Sequence, residues 1–544
     1  MTNPPQKPSS KGHGPYWPVA LLFLAVLFVV LVRSRLLAIP LERDEGEYAY
    51  GGQLMLQGVP PYKLFYNMKF PGIYAAYAAI MFFGGQTPSA IHFGLLLVNV
   101  ACILLLYLLA RHFLDVPGAV AAGASYALLS TSPGVLGLAA HATHFVVAAA
   151  LSGLLLLLRG EDSGKSVLFF CSGILFGISC LMKQPGAMFG LFGFCLLVAG
   201  GARQLGLWRV HCRRIVLFSI GLAAPLALAA ALLWQAGVFK RFWFWTILYP
   251  KVHASSMSWS VVLRNLTHFF QGLPLAADGL FWITSLLGLG SLALFRGKKG
   301  GKCWMTGFLG FSAAAVVLPL FFFRHYFVML LPALCLFVGQ AISAAMQWAK
   351  TRKARKAWGA LISGLFIIIW TLTVFHYRSI FFELTPDAIC RQIYRGNPFV
   401  EAVQIGHYLR EHSAPDARVA VLGSEPEILF YAGRRSATGY IYMYDFFESQ
   451  PHAGEMQLEM MAQIEDVQPE YLVFVVIPIS WAGRPDLQRT WGSPVMAWAP
   501  SFVKNFYDLA GLVTINGGSE YYWGKDALQF SRTDGRRIGI YKRK

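Results

Sequence analysis

Apolar residues gather along this chain into long unbroken runs separated by short polar breaks, the pattern of helices that cross a bilayer. The runs fall at about 17–37, 88–110, 117–132, 143–158, 166–182, 185–202, 214–236, 274–295, 303–323, 326–348 and 357–376. Each is long enough for a hydrocarbon core of about 30 Å. No small-residue cleavage site follows the run that begins at Trp17, so it reads as a retained first span behind a polar tail, residues 1–16.

Three interruptions are longer than turns. Residues 38–87 carry stretches from Tyr48 to Gly58 and from Pro71 to Phe83 that predict interfacial helices. Residues 238–273 are aromatic (Phe242, Trp243, Phe244, Trp245, Tyr249), as suits a membrane interface. From 377 to 544 the pattern changes altogether. A helix from Phe399 to His412 and a β-branched run from Arg418 to Leu422 precede a helix opening at Ser424-Glu425-Pro426-Glu427. A strand near Tyr440, a helix near Glu455 to Asp466 and an apolar strand from Tyr471 to Ile477 follow. That alternation predicts a small α/β domain. The predicted fold class is thus a polytopic α-helical membrane protein of about eleven transmembrane helices (17–376) with a C-terminal extracytoplasmic α/β domain (377–544).

Composition excludes a soluble protein: 56% of the 544 residues are hydrophobic and 13% charged. The net charge of +19 invites a nucleic-acid reading, but such a protein gathers its cations in one stripe. Here they cluster at Lys7/Lys11, Arg111, Arg159/Lys165, Arg203 to Arg214, Arg296 to Lys302 and Lys350 to Lys356, at every second loop. This is the positive-inside pattern; it puts the N-terminus in the cytoplasm and residues 377–544 outside, with the bilayer and no nucleic acid as partner. None of the eight cysteines forms a CxxC pair, and buried free thiols are expected.

Only eight of the 27 acids precede Tyr377, and four of those are Glu42, Asp44, Glu45 and Glu47. A hydrated loop would account for such a cluster. Its continuation into an amphipathic helix through Asp44-Glu45-Gly46-Glu47-Tyr48 instead holds the acids in place, as a general base for an acceptor hydroxyl requires. A departing lipid phosphate needs cations. Arg33, Arg35 and Arg43 flank the acids and balance them; Lys63, Lys69, Lys183 and Arg324 are the other outward-facing candidates. Lys183 and Arg324 break the positive-inside trend, with snorkelling at helix ends as the alternative. His141 and His144, three apart, share a helix face if both are helical: they bind a divalent metal, orient donor or acceptor, or simply end a helix.

The segments Asp44-Glu45-Gly46-Glu47-Tyr48, Gly58-Val59-Pro60-Pro61-Tyr62 and Lys69-Phe70-Pro71-Gly72 resemble the first outside loop of the GT-C glycosyltransferases. The nearest branch is that of the protein O-mannosyltransferases and lipid A aminoarabinose transferases. Lys183 and the Arg324-His325-Tyr326 turn extend the resemblance across the membrane domain; Phe70 replaces a family proline, and His141-Ala142-Thr143-His144 stands where relatives often carry a carboxylate. The resemblance implies Asp44 as base with Glu45 as its partner, and Lys69, Lys183, Arg324 and His325 on the donor phosphate. Tyr48, Tyr62, His141, His144 and Tyr326 become donor or acceptor contacts, and metal use varies within the family, leaving a divalent ion on His141 and His144 open.

The expected function is sugar transfer from a polyprenyl-phosphate donor to a glycolipid, polysaccharide or protein hydroxyl, at the outer face of a bacterial cytoplasmic membrane. The rivals are a polyprenyl-lipid or glycolipid transporter, which predicts inverted repeats and mid-membrane charges, and a receptor working through 377–544. That segment is expected to be a lid or acceptor platform, with Glu425, Glu427 and Asp445 as helix-terminus and surface acids.

Overall fold

The computed structural model describes residues 17–544 except 203–207, 257–258, 273–277, 295–299, 449, 482–491, 516–517 and 531–534. The Lys7/Lys11 pair, Arg203 and the run from Arg296 to Lys299 lie outside the described residues. A helix lies under each expected span: α1 (Trp17–Arg35), then after two short helices, α2 (Arg43–Leu56) and α3 (Gly72–Gly84), come α4 (Pro88–Phe113) and α5 (Val116–Leu129). The bundle continues with α6 (Ala142–Ser163), α7 (Ser166–Met182), α8 (Ala187–Ala202) and α9 (Trp208–Gln235). The aromatic segment is itself helical, as α10 (Phe239–Trp243), α11 (Tyr249–Ser256) and α12 (Trp259–Gly272). The last spans are α13 (Gly279–Gly290), α14 (Gly301–Val317), α15 (Leu331–Lys350) and α16 (Arg355–His376). Among the described residues, six helices are long and apolar enough to cross a membrane, and shorter apolar helices accompany them.

Small residues let these helices approach closely, since packing rather than hydrophobicity drives association in lipid. Gly173 and Gly177 of α7 lie against backbone of α9, at Phe218 and Leu222, and Gly221 of α9 lies against Phe170 of α7. A side chain at any of the three would force α7 and α9 apart.

The C-terminal region holds one six-stranded mixed sheet, ordered β2-β1-β3-β6-β4-β5. Its strands are β1 (Arg418–Leu422), β2 (Arg435–Ser436), β3 (Tyr471–Val476), β4 (Tyr507–Ile515), β5 (Ser519–Trp523) and β6 (Arg537–Arg543). β1 runs parallel to β2 and β3; the β3–β6, β4–β6 and β4–β5 pairs are antiparallel. Alternation sorts side chains to two faces: Val419, Val421, Val473 and Val475 point one way, Ala420, Leu422 and Leu472 the other. The expected strand near Tyr440 is instead a loop beyond β2, because Tyr440 packs its ring on Tyr66 and leaves the sheet edge.

The first of those faces is covered partly by its own region, through Ala402, Ile405 and Leu409, and partly by the short helices after α1. It shares one hydrophobic cluster with Tyr48, Tyr50 and Leu54 of α2 and Ile73, Tyr74 and Tyr77 of α3. The expectation of interfacial helices is therefore corrected for α2: residues from Glu45 to Leu54 are buried, because the sheet region covers the face a headgroup layer would have covered.

Candidate active site

Glu42 caps α2: its carboxylate accepts from the Glu45 N–H at 3.0 Å, and the Glu45 carboxylate accepts from the Glu42 N–H at 3.3 Å. The reciprocal box fixes Asp44 in the first helical turn, where the helix dipole favours a carboxylate. Residues three and four apart then share a face, so Asp44, Glu47 and Tyr48 look the same way. Lys69 meets them there. Its ammonium donates to Asp44 Oδ1 at 2.8 Å and Glu47 Oε2 at 2.6 Å, and sits 4.6 Å from the centre of the Tyr48 ring.

The loop bearing Lys69 is fastened from both sides. The Tyr62 hydroxyl donates to the Lys69 carbonyl at 2.7 Å, and Gln184, next to Lys183, donates to the Met68 carbonyl. Lys183 ends α7 in an extended conformation. Its ammonium lies 4.0 Å from the centre of the Tyr326 ring and 3.4 Å from His325 Nε2. The His325 and His141 rings stack with centroids 4.1 Å apart, and Asp44 Oδ2 stands 3.8 Å from His141 Nδ1 and from His325 Nε2. Asp44, Tyr48, Lys69, His141, Lys183, His325 and Tyr326, drawn from five segments, thus form one constellation.

Burial shapes its charges. Desolvation would raise the Asp44 pKa, but the positive groups around it, Lys69 foremost, hold it far below the usual carboxylate range. Burial likewise disfavours the Lys69 ammonium, yet Asp44 and Glu47 more than offset this and raise its pKa. Lys183 is not so compensated: burial brings it down to about 7. Burial also lowers His141 to about 4, leaving a neutral imidazole.

Other expected residues are placed differently. Glu45 faces away from Asp44, accepting from His92 at 3.0 Å and from the Ala140 N–H, and so braces α2 against α4 and the entry to α6. Arg324 donates to the carbonyls of Gly134 and Pro133 at 3.0 and 2.8 Å rather than turning to the Asp44 group. The His141/His144 face does not exist as expected. His141 is the extended residue preceding α6, so helical spacing does not apply, and it is His325 that completes a possible metal set. Ligand atoms of Asp44, His141 and His325 all lie within 4.8 Å of one another. The flanking arginines do not balance the acids collectively: Arg33 holds Asn99, Ser130 and Gly137, and Arg35 the carbonyls of Ile380, Phe381 and Leu384.

Two residues of the constellation were given no role from sequence: Glu47, seen only as one of the clustered acids, and Tyr442. Glu47, fully buried, also accepts hydrogen bonds from Tyr74 and Tyr442; its three-residue spacing from Asp44 was the available signal. Tyr442 comes from the loop beyond β2. Its hydroxyl lies 3.0 Å from Glu47 Oε2 and 3.4 Å from Asp44 Oδ1, and no local pattern announces it. Glu425 and Glu427, expected at the surface, are instead both buried, on the far side of α2. Arg43 pairs with Glu425 at 3.1 Å, and the Glu427 side chain packs directly on Gly46, where no other residue fits.

A family model described as dolichyl-phosphate-mannose-protein mannosyltransferase matches residues 69–234. ArnT from Cupriavidus metallidurans bound to undecaprenyl phosphate superposes with a TM-score of 0.56 at 15% identity, over 97% of this chain and 98% of that one. This chain carries the GT-C fold. The archaeal oligosaccharyltransferase AglB from Archaeoglobus fulgidus, in complex with an inhibitory peptide and a dolichol-phosphate, shares it. There the TM-score is 0.52 at 14% identity, over 94% of this chain and 74% of that one. A comparison with curated protein sequences gave no match. Within the GT-C frame, the Asp44 constellation gathers where α2, the loop before α3, α7, α15 and the sheet region meet.

Proposed function

We propose that this protein is a glycosyltransferase that moves a sugar from a polyprenyl-phosphate donor to an acceptor hydroxyl, with Asp44 as general base, at the outer membrane face. The observation that carries the reading is the ion-paired Lys69, bound to Asp44 and Glu47, with Lys183 nearby beside His325. Polyprenyl phosphates occupy the ArnT and AglB structures named above, which supports the donor class.

In the resting arrangement Asp44 is a poor base, because Lys69 stabilises its charge. A donor phosphate competes for Lys69 and adds Lys183, drawing positive charge off Asp44 and raising its proton affinity. Asp44 then takes the acceptor proton as the acceptor oxygen bonds to the anomeric carbon. The bond from that carbon to the phosphate oxygen breaks, and its electron pair stays on the polyprenyl phosphate, held by the two lysines. Glu47 and Tyr442 orient Asp44 and Lys69 without entering the reaction.

Asp44, His141 and His325 also suit a divalent cation: one carboxylate and two imidazoles, His141 having no hydrogen-bond partner for either ring nitrogen. Such a cation, when bound, supplies further stabilisation of phosphate charge. The acceptor is a hydroxyl of a glycolipid, polysaccharide or protein.

The test is incubation of purified protein and Asp44→Asn with a polyprenyl-phosphate sugar and cell-envelope acceptors, following both transfer and donor binding. Transfer falls on the order of 10²-fold or more while binding persists. Native-rate transfer by Asp44→Asn refutes the base. Movement of intact donor across proteoliposomes, with no new glycosidic bond, favours the transporter.

A further inference from the structure

The end of the bundle away from Asp44 holds a second feature. α15 starts beside His325 and runs 20 residues, so its far end at Lys350 lies about 30 Å away. There a short turn, residues 351–354, leads back into α16. At its other end α16 is pinned, Trp370 donating to the Ala124 carbonyl at 3.1 Å and meeting Phe28 edge-on. Toward Arg355 there is room on the groove side: a side chain at Gly359 would touch only the Met346 sulfur, at 3.9 Å. The gap is a groove of about 860 Å³ between α1, α5, α15 and α16. Leu21, Pro117, Met346 and Ile367 form its apolar wall, Lys350, Arg355 and Lys356 surround its polar end, and no carboxylate lines it among the described residues.

Water is a poor occupant of an apolar groove at bilayer depth, and an empty one forfeits its contacts. Three cations on one rim, with no carboxylate among the described lining residues, favour an anion there, and the wall below accommodates a hydrocarbon chain. We propose that this groove binds one anionic glycerophospholipid, its phosphate held by Lys350, Arg355 and Lys356 and an acyl chain lying along Met346 and Ile367. The occupant is an ordinary membrane lipid rather than the sugar donor: the groove opens at the face opposite Asp44, about a bilayer's thickness from it. Snorkelling lysines account for scattered cations, but not for three cations around one groove with an apolar wall.

The experiment uses the full-length protein in nanodiscs or mixed micelles, with bound lipid counted by native mass spectrometry against phosphatidylglycerol, phosphatidylcholine and undecaprenyl phosphate. The protein should retain phosphatidylglycerol over phosphatidylcholine by about tenfold or more. Replacing Lys350, Arg355 and Lys356 together by Gln should abolish that preference. Ala360→Phe, which fills the groove without changing charge, should expel the lipid by a different route and so guards against a variant that merely misfolds. Equal retention of the two phospholipids, or unchanged retention in Ala360→Phe, overturns the site. Displacement of phosphatidylglycerol from this rim by undecaprenyl phosphate overturns the choice of occupant.

Discussion

The two faces of α2 use the same ingredients to different ends. On one, Lys69 stands between two carboxylates, Asp44 and Glu47; on the other, Arg43 pairs with Glu425 beside a second carboxylate, Glu427. The difference is access. The Asp44 side chain is 23% exposed, whereas Glu425 has no exposure, and Arg43 is walled in by the Phe399 and Tyr444 rings. A buried cation–carboxylate pair closed on every side locks two segments together. The same pair with one open flank can exchange its cation for an arriving phosphate. Charge alone therefore does not mark a reactive site; an unfinished coordination does.

Substitutions should separate the two faces. The largest effect is on transfer: Asp44→Asn loses it by a factor on the order of 10² or more, whereas Glu425→Gln retains it, as initial rates with a lipid-linked donor will show. Next, Lys69→Met and Arg43→Met each strand buried carboxylates and should cost about 3–5 kcal/mol in denaturation. Only Lys69→Met should also abolish polyprenyl-phosphate binding; equal loss in both would break the distinction. Gly46→Ala wedges a methyl group against Glu427, 2.6 Å from its Cβ, and should cost about 1–3 kcal/mol by overpacking. Tyr442→Phe removes one hydroxyl and should slow transfer about threefold to tenfold, the equivalent of one hydrogen bond, with the melting temperature little changed. The smallest effect is at Glu427. Burial, with Glu425 next, raises its pKa well above 4.5. The folded state therefore holds a proton that the unfolded state releases, and stability declines as pH rises from about 4.5 toward the folded value. Glu427→Gln should flatten that slope in melting curves taken at a series of pH values.

The helices were readable because lipid leaves few alternatives to an apolar helix, and the neighbourhood of Asp44 and Lys69, now seen as a 2.8 Å pair, because the two lie in one short stretch of sequence. What failed depended on contacts distant in sequence. Tyr442 and Glu47 meet across 395 residues. Arg324 follows the expected motif, yet its guanidinium is taken by carbonyls at 133 and 134, a choice made only when two loops meet. The 141/144 spacing misled because a helix starts between the two residues. Glu425 and Glu427 read as surface acids because nothing near them in sequence shows that α2 will cover them.

The strand order carries a consequence for how the protein is made. β6, the last of the six strands in sequence, is not an edge but lies between β3 and β4. The helix bearing Asp44 precedes β6 by almost 500 residues, so the sheet that covers its back is complete only after β6 has emerged. Until then the Tyr48–Leu54 surface waits without its full cover. A chain clipped before β6 would then keep its helices while the sheet behind α2 stays open, which makes β6 a poor place for an insertion.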